Sequence, residues 1–280
     1  MLIDSSRRVA GTGEPTRTAQ RLIKGPTLGP LKSYSRMWGP LLLLILWEVA
    51  SQTGWLSPKL LAAPSTALTT GYRLIANGTL LPHLLASAQR AYLGLALGVA
   101  LGLGLALLAG LTRLGDALID GVVQIKRAVP TLALIPLAII WLGIGDGMKI
   151  ALIAGSVCMP VYLNTHAALK GIDLRYVELA RTLGLSKTRF VRRVALPGAL
   201  PGFFTGLRLA VNLSWGALVM LEQINTTQGI GYLMNRARDY GQTDVIVVCI
   251  VIYMILGLAS DGLVRVLERR ALRYRKVIGS

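Results

Sequence analysis

Acidic side chains are scarce in this chain: thirteen Asp and Glu stand against thirty Lys and Arg, leaving a formal charge of +17 over 280 residues. Charged residues of both signs make up only 15%, while 53% are hydrophobic. A chain so apolar cannot hide everything in one water-soluble core, and an integral membrane protein is the first reading. Cysteine is nearly missing. Cys158 and Cys249 both lie inside apolar stretches, a placement that supports neither a disulfide framework nor a thiolate metal site and suits small core residues. The two histidines, His83 and His166, stand alone, with no carboxylate or Cys at ligand spacing, and no Ser/His/Asp set has a credible context. Enzyme chemistry therefore has little support. The phosphate-binding pattern GxxxxGK followed by Ser or Thr is absent as well, so any ATP, with its Mg2+, belongs on another subunit. Gly143-Ile-Gly145-Asp-Gly147 has no strand before it and reads as a turn between two apolar segments.

What the sequence does have is apolar runs. Residues 1–36 carry seven Lys or Arg among Gly, Pro, Ser and Thr and read as a flexible basic tail. The run Leu41 to Trp47 after it resembles a signal-peptide core with Ala62-Ala63 as a loose cleavage site, but the tail is too long for that. A shallow span ending near Glu48 fits better, with the carboxylate at the outer interface. Five further spans are expected over Ala91 to Leu111, Val129 to Ile144, Ile150 to Leu169, Phe203 to Glu222 and Val245 to Val264. Six spans put both termini on one side. The tail, segments 112–127 and 170–202, and the end after Val264 hold twenty-three of the thirty basic residues, so the positive-inside rule makes their shared face cytoplasmic. The excess of basic charge thus reports topology, and no nucleic-acid partner is needed to account for it.

Inside the spans, Gly94, Gly98 and Gly102 recur every four residues and leave a smooth stripe for close helix packing. Pro130, Pro136 and Pro160 interrupt the third and fourth spans, where a kink is tolerated if neighbours satisfy the freed carbonyls. In the fifth span Arg208, Asn212, Trp215, Val219 and Glu222 form one mostly polar stripe on an apolar helix. Polar groups facing lipid are expensive, which turns the stripe inward. Two readings stand side by side: the stripe lines a translocation path, or its members make fixed interhelical hydrogen bonds, with Arg208 and Glu222 reaching the two interfaces. Asp261 pairs with Arg265 one turn on.

The internal stretch VELARTLGLSKTRFVRRVALPGALPG, residues 177–202, predicts a short helix over Asp173 to Leu183 with Tyr176, Ala180 and Leu183 on one face, stopped at Gly184. Ser186 then caps a second helix, Leu185 and Phe190 occupy the positions of a hydrophobic staple, and Pro197 is expected to end it. The second helix carries Lys187, Arg189, Arg192 and Arg193, which suit anionic lipid headgroups and a protein partner equally. Order and spacing add a resemblance. Glu178-Leu179-Ala180, Gly184 six residues after the Glu, and Val194-Ala195-Leu196-Pro197 resemble the loop motif of binding-protein-dependent ABC transporter permeases, with Leu179 in place of an Ala and Val194 in place of an Ile. The segments RAVPTLALIPLAIIWLGIG, ALPGALPGFFTGLRLAV and QTDVIVV look like the permeases of nitrate, sulfonate and taurine importers, and the likeness extends over about residues 40 to 275.

The resemblance implies an all-α integral membrane protein of the ABC importer permease fold, in which residues 37–280 form six spans in a bacterial plasma membrane. It also implies a homodimer, an external solute-binding protein, and a cytoplasmic ATPase on which loop 170–202 docks as a coupling helix. Carried over residue by residue, Glu178, Ala180, Leu183, Gly184, Leu185 and Pro197 belong to that coupling site. Arg208, Asn212, Trp215, Val219 and Glu222 remain the candidates for the path. No cofactor is implied in the chain itself. An ion-gradient-driven secondary transporter is the alternative, though it calls for an internal repeat that the sequence does not display. A basic membrane scaffold would leave the polar stripe idle.

Overall fold

The computed structural model describes residues 35–224 and 226–274, so the basic tail expected over 1–36 lies outside the described residues except for its last two. All regular structure among these residues is helical. Four helices are long and apolar enough to cross a membrane, and a sharply bent pair can make a fifth. Many of their leucines and isoleucines face outward, among them Leu97, Leu101, Leu209, Leu213 and Ile255. Exposure of this kind is what a lipid solvent permits.

Helix α1 (Ser35–Gln52) contains Leu41 to Trp47, and its leucines are exposed. Glu48 does not end freely at an interface. It accepts hydrogen bonds from Gln52, from the Ser65 hydroxyl at 2.7 Å and from the Ser65 N–H at 3.1 Å. Ser65 is the second residue of α2 (Pro64–Ala76), whose preceding Ala63 has no side chain able to cap. Glu48 therefore supplies from a neighbouring helix the acceptor that α2 lacks. The buried Ala67 and Thr70 of α2 lie toward the last helix, where Val247 and Val248 wait for them.

Helix α3 (Leu80–Leu111) begins eleven residues before the span expected from Ala91. A run of small buried residues, Ala91, Gly94, Gly98, Gly102, Ala106 and Ala109, forms one face of it. The close approach is real: a Cβ on Gly94 would lie 2.5 Å from Ile153, and a Cβ on Gly98 or Gly102 would lie 2.6 Å from a carbonyl oxygen of α6 (Asp146–Lys170). Segment 112–127, which the sequence marks only as a basic stretch between two expected spans, is the helix α4 (Arg113–Ala128), with one wide turn at Asp116–Asp120. Thr112 caps it by accepting from the Gly115 N–H. Val129 adopts the extended backbone that a following proline requires. Helix α5 (Thr131–Leu142) then leaves at 86° to α4. Twelve residues cover about 18 Å, too short for a span alone, so the expected span Val129 to Ile144 is one arm of an elbow.

Pro160 sits inside α6. Around it Ser156 donates to the Leu152 carbonyl, Asn164 donates to the Pro160 carbonyl, and Gly206 of the facing helix comes so near that a Cβ there would lie 2.6 Å from that oxygen. α7 (Leu174–Thr182) starts with Asp173 accepting from the Arg175 N–H at 2.9 Å. α8 (Lys187–Glu222) follows a tight turn and runs unbroken through Pro197. This corrects the expectation that Pro197 ends the second helix of the loop. Just before the proline, Val191–Ala195 widen into a π turn, and the looser spacing absorbs the ring and the missing N–H without ending the helix. The remaining helices are α9 (Ile230–Asp239) and α10 (Thr243–Ala271). The main core forms where α3, α6 and α8 meet, around Ile153, Val157, Val161, Ala210, Val211, Trp215 and Leu218.

Candidate coupling loop and translocation path

The loop between α6 and α8 is built as a rigid corner. Gly184 has φ +62°, a left-handed conformation that side chains with a Cβ resist. Around it the Leu185 N–H donates to the Ala180 carbonyl at 2.9 Å and the Gly184 N–H to the Arg181 carbonyl at 3.0 Å. This is the paired closure that satisfies the last carbonyls of α7. Ser186 then accepts from the Arg189 N–H, opening α8. The expected apolar face divides. Ala180 is buried, whereas Tyr176, Leu179 and Leu183 are exposed together with Glu178. Of the expected face, Tyr176 and Leu183 are open to a partner, with Leu179 beside them, and Ala180 is not. Beyond the turn, Ser186, Thr188, Arg189, Arg192 and Arg193 surround a small basic hollow of about 280 Å³. Pro197 lies at the base, and its carbonyl accepts from the Tyr274 hydroxyl.

The stripe on α8 divides in the same way. Arg208 and Asn212 line an open cleft of about 600 Å³ beside Thr205, Tyr253 and Asp261. Arg208 lies 3.2 Å from Asp261, whose other oxygen takes Arg265 at 2.7 Å, so the local pair expected between Asp261 and Arg265 is part of a bridge of three. Trp215 faces the core instead. Its Nε1 donates to Ser260, and its ring meets Tyr92 edge-on. Val219 is partly buried, and the side chain of Glu222 has no exposed surface. For Trp215 and Glu222 the reading of fixed interhelical bonds prevails, and Glu222 does not reach an interface. The cause is tertiary: the far half of α8 is covered by α3 and α9, while the face holding Arg208 and Asn212 stays open.

Glu222 ends in a buried polar cluster that the sequence reading did not find. Its carboxylate accepts from Ser87, from Arg90 at 2.7 Å, from the Gly231 N–H at 2.9 Å and from Tyr253 at 3.1 Å. Arg90 also reaches Asp146 at 2.7 Å and the Gln228 carbonyl at 2.6 Å. Five helices, α3, α6, α8, α9 and α10, are tied here. Arg90, in an α3 that holds no other Asp, Glu, Lys or Arg, was the available signal, because an ionisable group inside a membrane helix calls for a partner. A second cluster joins α4 to α6. His166, read as isolated, lies 3.1 Å from Asp116, which also takes Lys170. Its partners sit about fifty residues away, beyond the reach of any local spacing rule. No group of three His, Cys, Asp or Glu able to hold a metal occurs among the described residues, and both cysteines are free and buried.

A bundle of lipid-facing helices with a capped, basic helix–turn–helix at one end and an open cleft beside a long continuous helix defines a membrane permease subunit. Residues 98–273 match the family described as "Binding-protein-dependent transport system inner membrane component". The chain is 43% identical over 84% of its length to the putative aliphatic sulfonates transport permease protein SsuC of Escherichia coli, covering 89% of that protein. It is 32% identical over 81% of its length to the taurine transport system permease protein TauC of the same organism, covering 85% of it. Among solved structures, an inward-facing MetNI methionine ABC transporter superposes with a TM-score of 0.54 at 22% identity, over 67% of this chain and 95% of that one. The chain belongs to the family of binding-protein-dependent transport system inner membrane components. It is a multi-pass transport permease of an ABC importer and not an enzyme, which decides against a gradient-driven secondary transporter.

Proposed function

We propose that two copies of this chain form a path in a bacterial inner membrane for a small sulfonate or related oxyanion. An external solute-binding protein delivers the solute, and separate cytoplasmic ATPase subunits that bind ATP and Mg2+ drive its passage. The substrate class follows the aliphatic sulfonate and taurine permeases to which the chain is similar. In this reading α1 and the elbow α4–α5 complete six spans. The basic segments 1–36 and 170–202, the Arg113 end of α4 and the end after Val264 lie in the cytoplasm, as their shared basic charge supports.

The observation that carries the proposal is the mechanical continuity of the coupling loop with the path. Glu178, Leu179 and Leu183 are presented on a corner fixed at Gly184, and α8 runs from Lys187 beside that corner to Glu222 in the buried cluster. A displacement of the loop by closing ATPase subunits moves α8 as a unit, because a hydrogen-bonded helix transmits strain along its axis and a close-packed interface shifts between discrete arrangements. Arg208 and Asn212 travel with it, and the cleft they line alternates its access. The test is affinity purification of the full chain from mild detergent beside Gly184→Trp and Glu178→Arg. The native chain should bring down an ATPase that hydrolyses ATP, and both variants should lose it. A native chain that recovers no ATPase in any detergent, yet moves solute in vesicles on an ion gradient alone, overturns the proposal.

A further inference from the structure

At the elbow between α4 and α5, Lys126 turns its Nζ inward. It donates to Thr131 Oγ1 at 3.0 Å and to the Gly155 carbonyl of α6 at 2.8 Å. Both acceptors are neutral, and among the described residues no carboxylate lies within ion-pair distance of it. The other inward-turned cations are matched: Arg90 has Asp146 and Glu222, Lys149 has Asp146, and Arg208 has Asp261. Beside Lys126 opens a cleft of about 500 Å³ whose lining includes Arg127, Thr131, Ser156, Asn212 and Gly216 but no acidic residue. Two cations without a counter-charge among the described residues, in a cleft whose remaining lining is uncharged, leave a positive local potential.

Hydrogen-bond capacity points the same way. Lys126 has three protons and uses two. Thr131 accepts from Lys126, so its own proton is free to donate. Arg127 and Asn212 make no side-chain hydrogen bond among the described residues and are exposed. Ser156 is different, because its proton goes to the Leu152 carbonyl. Donors therefore outnumber acceptors at the mouth of the cleft.

The geometry points to this cleft as a binding station for a small oxyanion on the path: Lys126 and Arg127 supply the charge, and Thr131 and Asn212 orient the oxygens. The solute class rests on the importer reading above; the site is new to it. It also moves the anion contact away from Arg208, whose charge is already shared with Asp261. Asn212 lines both this cleft and the larger one, which places the station beside the open face of α8. A partly solvated cation pair draws an anion in without holding it, as conduction requires.

The test reads local charge and needs neither transport nor the ATPase. Gly216 lines the cleft and a Cβ there meets nothing within 4 Å, so Gly216→Cys is placed in the full chain in membrane vesicles; the native Cys158 and Cys249 are buried. The thiolate attacks a methanethiosulfonate, forming a disulfide and expelling methanesulfinate. Rates are compared for the sulfonatoethyl (anionic) and trimethylammonioethyl (cationic) reagents, because their ratio cancels any change in thiolate population. Lys126→Met should lower the anionic-to-cationic ratio about threefold or more, and Lys126→Arg should hold it within about twofold. Arg127→Gln, whose side chain supports nothing in the fold, should lower it as well. Methanesulfonate should slow modification with Lys126 present and not in Lys126→Met. An unchanged ratio in Lys126→Met and Arg127→Gln, an equal fall in Lys126→Arg, or no protection by methanesulfonate overturns the site. The importer reading is overturned separately, by failure to recover an ATPase.

Discussion

Removing one partner of the Arg90–Glu222 pair should cost more than removing the charge of the other, and the difference can be worked from the geometry. Glu222 is fully buried and accepts from four donors, Ser87, Arg90, the Gly231 N–H and Tyr253. In Glu222→Gln the shape is kept, but the new amide NH2 must face either Arg90 or the Gly231 N–H, neither of which can accept. The hydroxyls of Ser87 and Tyr253 can rotate, and Arg90 retains Asp146 and the Gln228 carbonyl. Loss of one or two charge-assisted bonds, partly compensated, amounts to about 2–4 kcal/mol. Arg90→Met is harsher, because it strands a buried carboxylate with no cation, and about 3–5 kcal/mol is expected. The double variant removes the mismatch and should fall about 2 kcal/mol short of the sum of the singles. Unfolding of the full chain by SDS in mixed micelles measures all three. Additive singles, or a loss below about 1 kcal/mol for Arg90→Met, would show that the cluster is not an electrostatic unit and would refute the reasoning.

Gly98→Ala should destabilise the same chain by about 1–3 kcal/mol, because the new Cβ would stand 2.6 Å from both the Ala154 carbonyl and Val157; a neutral result in that SDS titration would mean that α3 and α6 separate at little cost. Gly184→Ala meets no atom within 4 Å, so only its φ of +62° is penalised, and the loss should stay near 1–2 kcal/mol with the ATPase still recovered on affinity purification. Asn212→Leu should slow uptake of an alkanesulfonate while leaving the unfolding midpoint unchanged. Trp215→Ala, buried and bonded to Ser260, should instead lose about 3–5 kcal/mol of stability, and normal uptake by Asn212→Leu would remove that residue from the path.

The features legible in the sequence rest on short-range rules. Gly184 as a helix stop, Ser186 as a cap and Asp261 beside Arg265 each depend on residues within one or two turns, and each is found where those rules put it. Composition and the loop spacing led to the family. The misses share a different cause. α2 has 13 residues, too few for a span, and what fixes its place are Val248 and Glu48 on other helices. Pro197 carried a correct local penalty, yet a π turn upstream absorbed it. The basic charge of segment 112–127 is legible in the sequence, but its folding as helix α4 is not, because a charge count says nothing of backbone shape. Sequence treated the α8 stripe as one surface, although the neighbours of its two halves differ.

By itself, then, the sequence determined the solvent, the helical class and the corner at Gly184, because hydropathy and the conformational cost of a left-handed residue are properties of short segments. Tertiary structure alone decided which polar groups are paired. Glu222 lies 132 residues from Arg90 in the chain and His166 lies 50 from Asp116, and no periodicity carries information over such distances. The same holds for the unpaired cation: Lys126 became distinctive only when the surrounding helices showed which carboxylates are already engaged elsewhere, since a charge is satisfied or not by what folds against it.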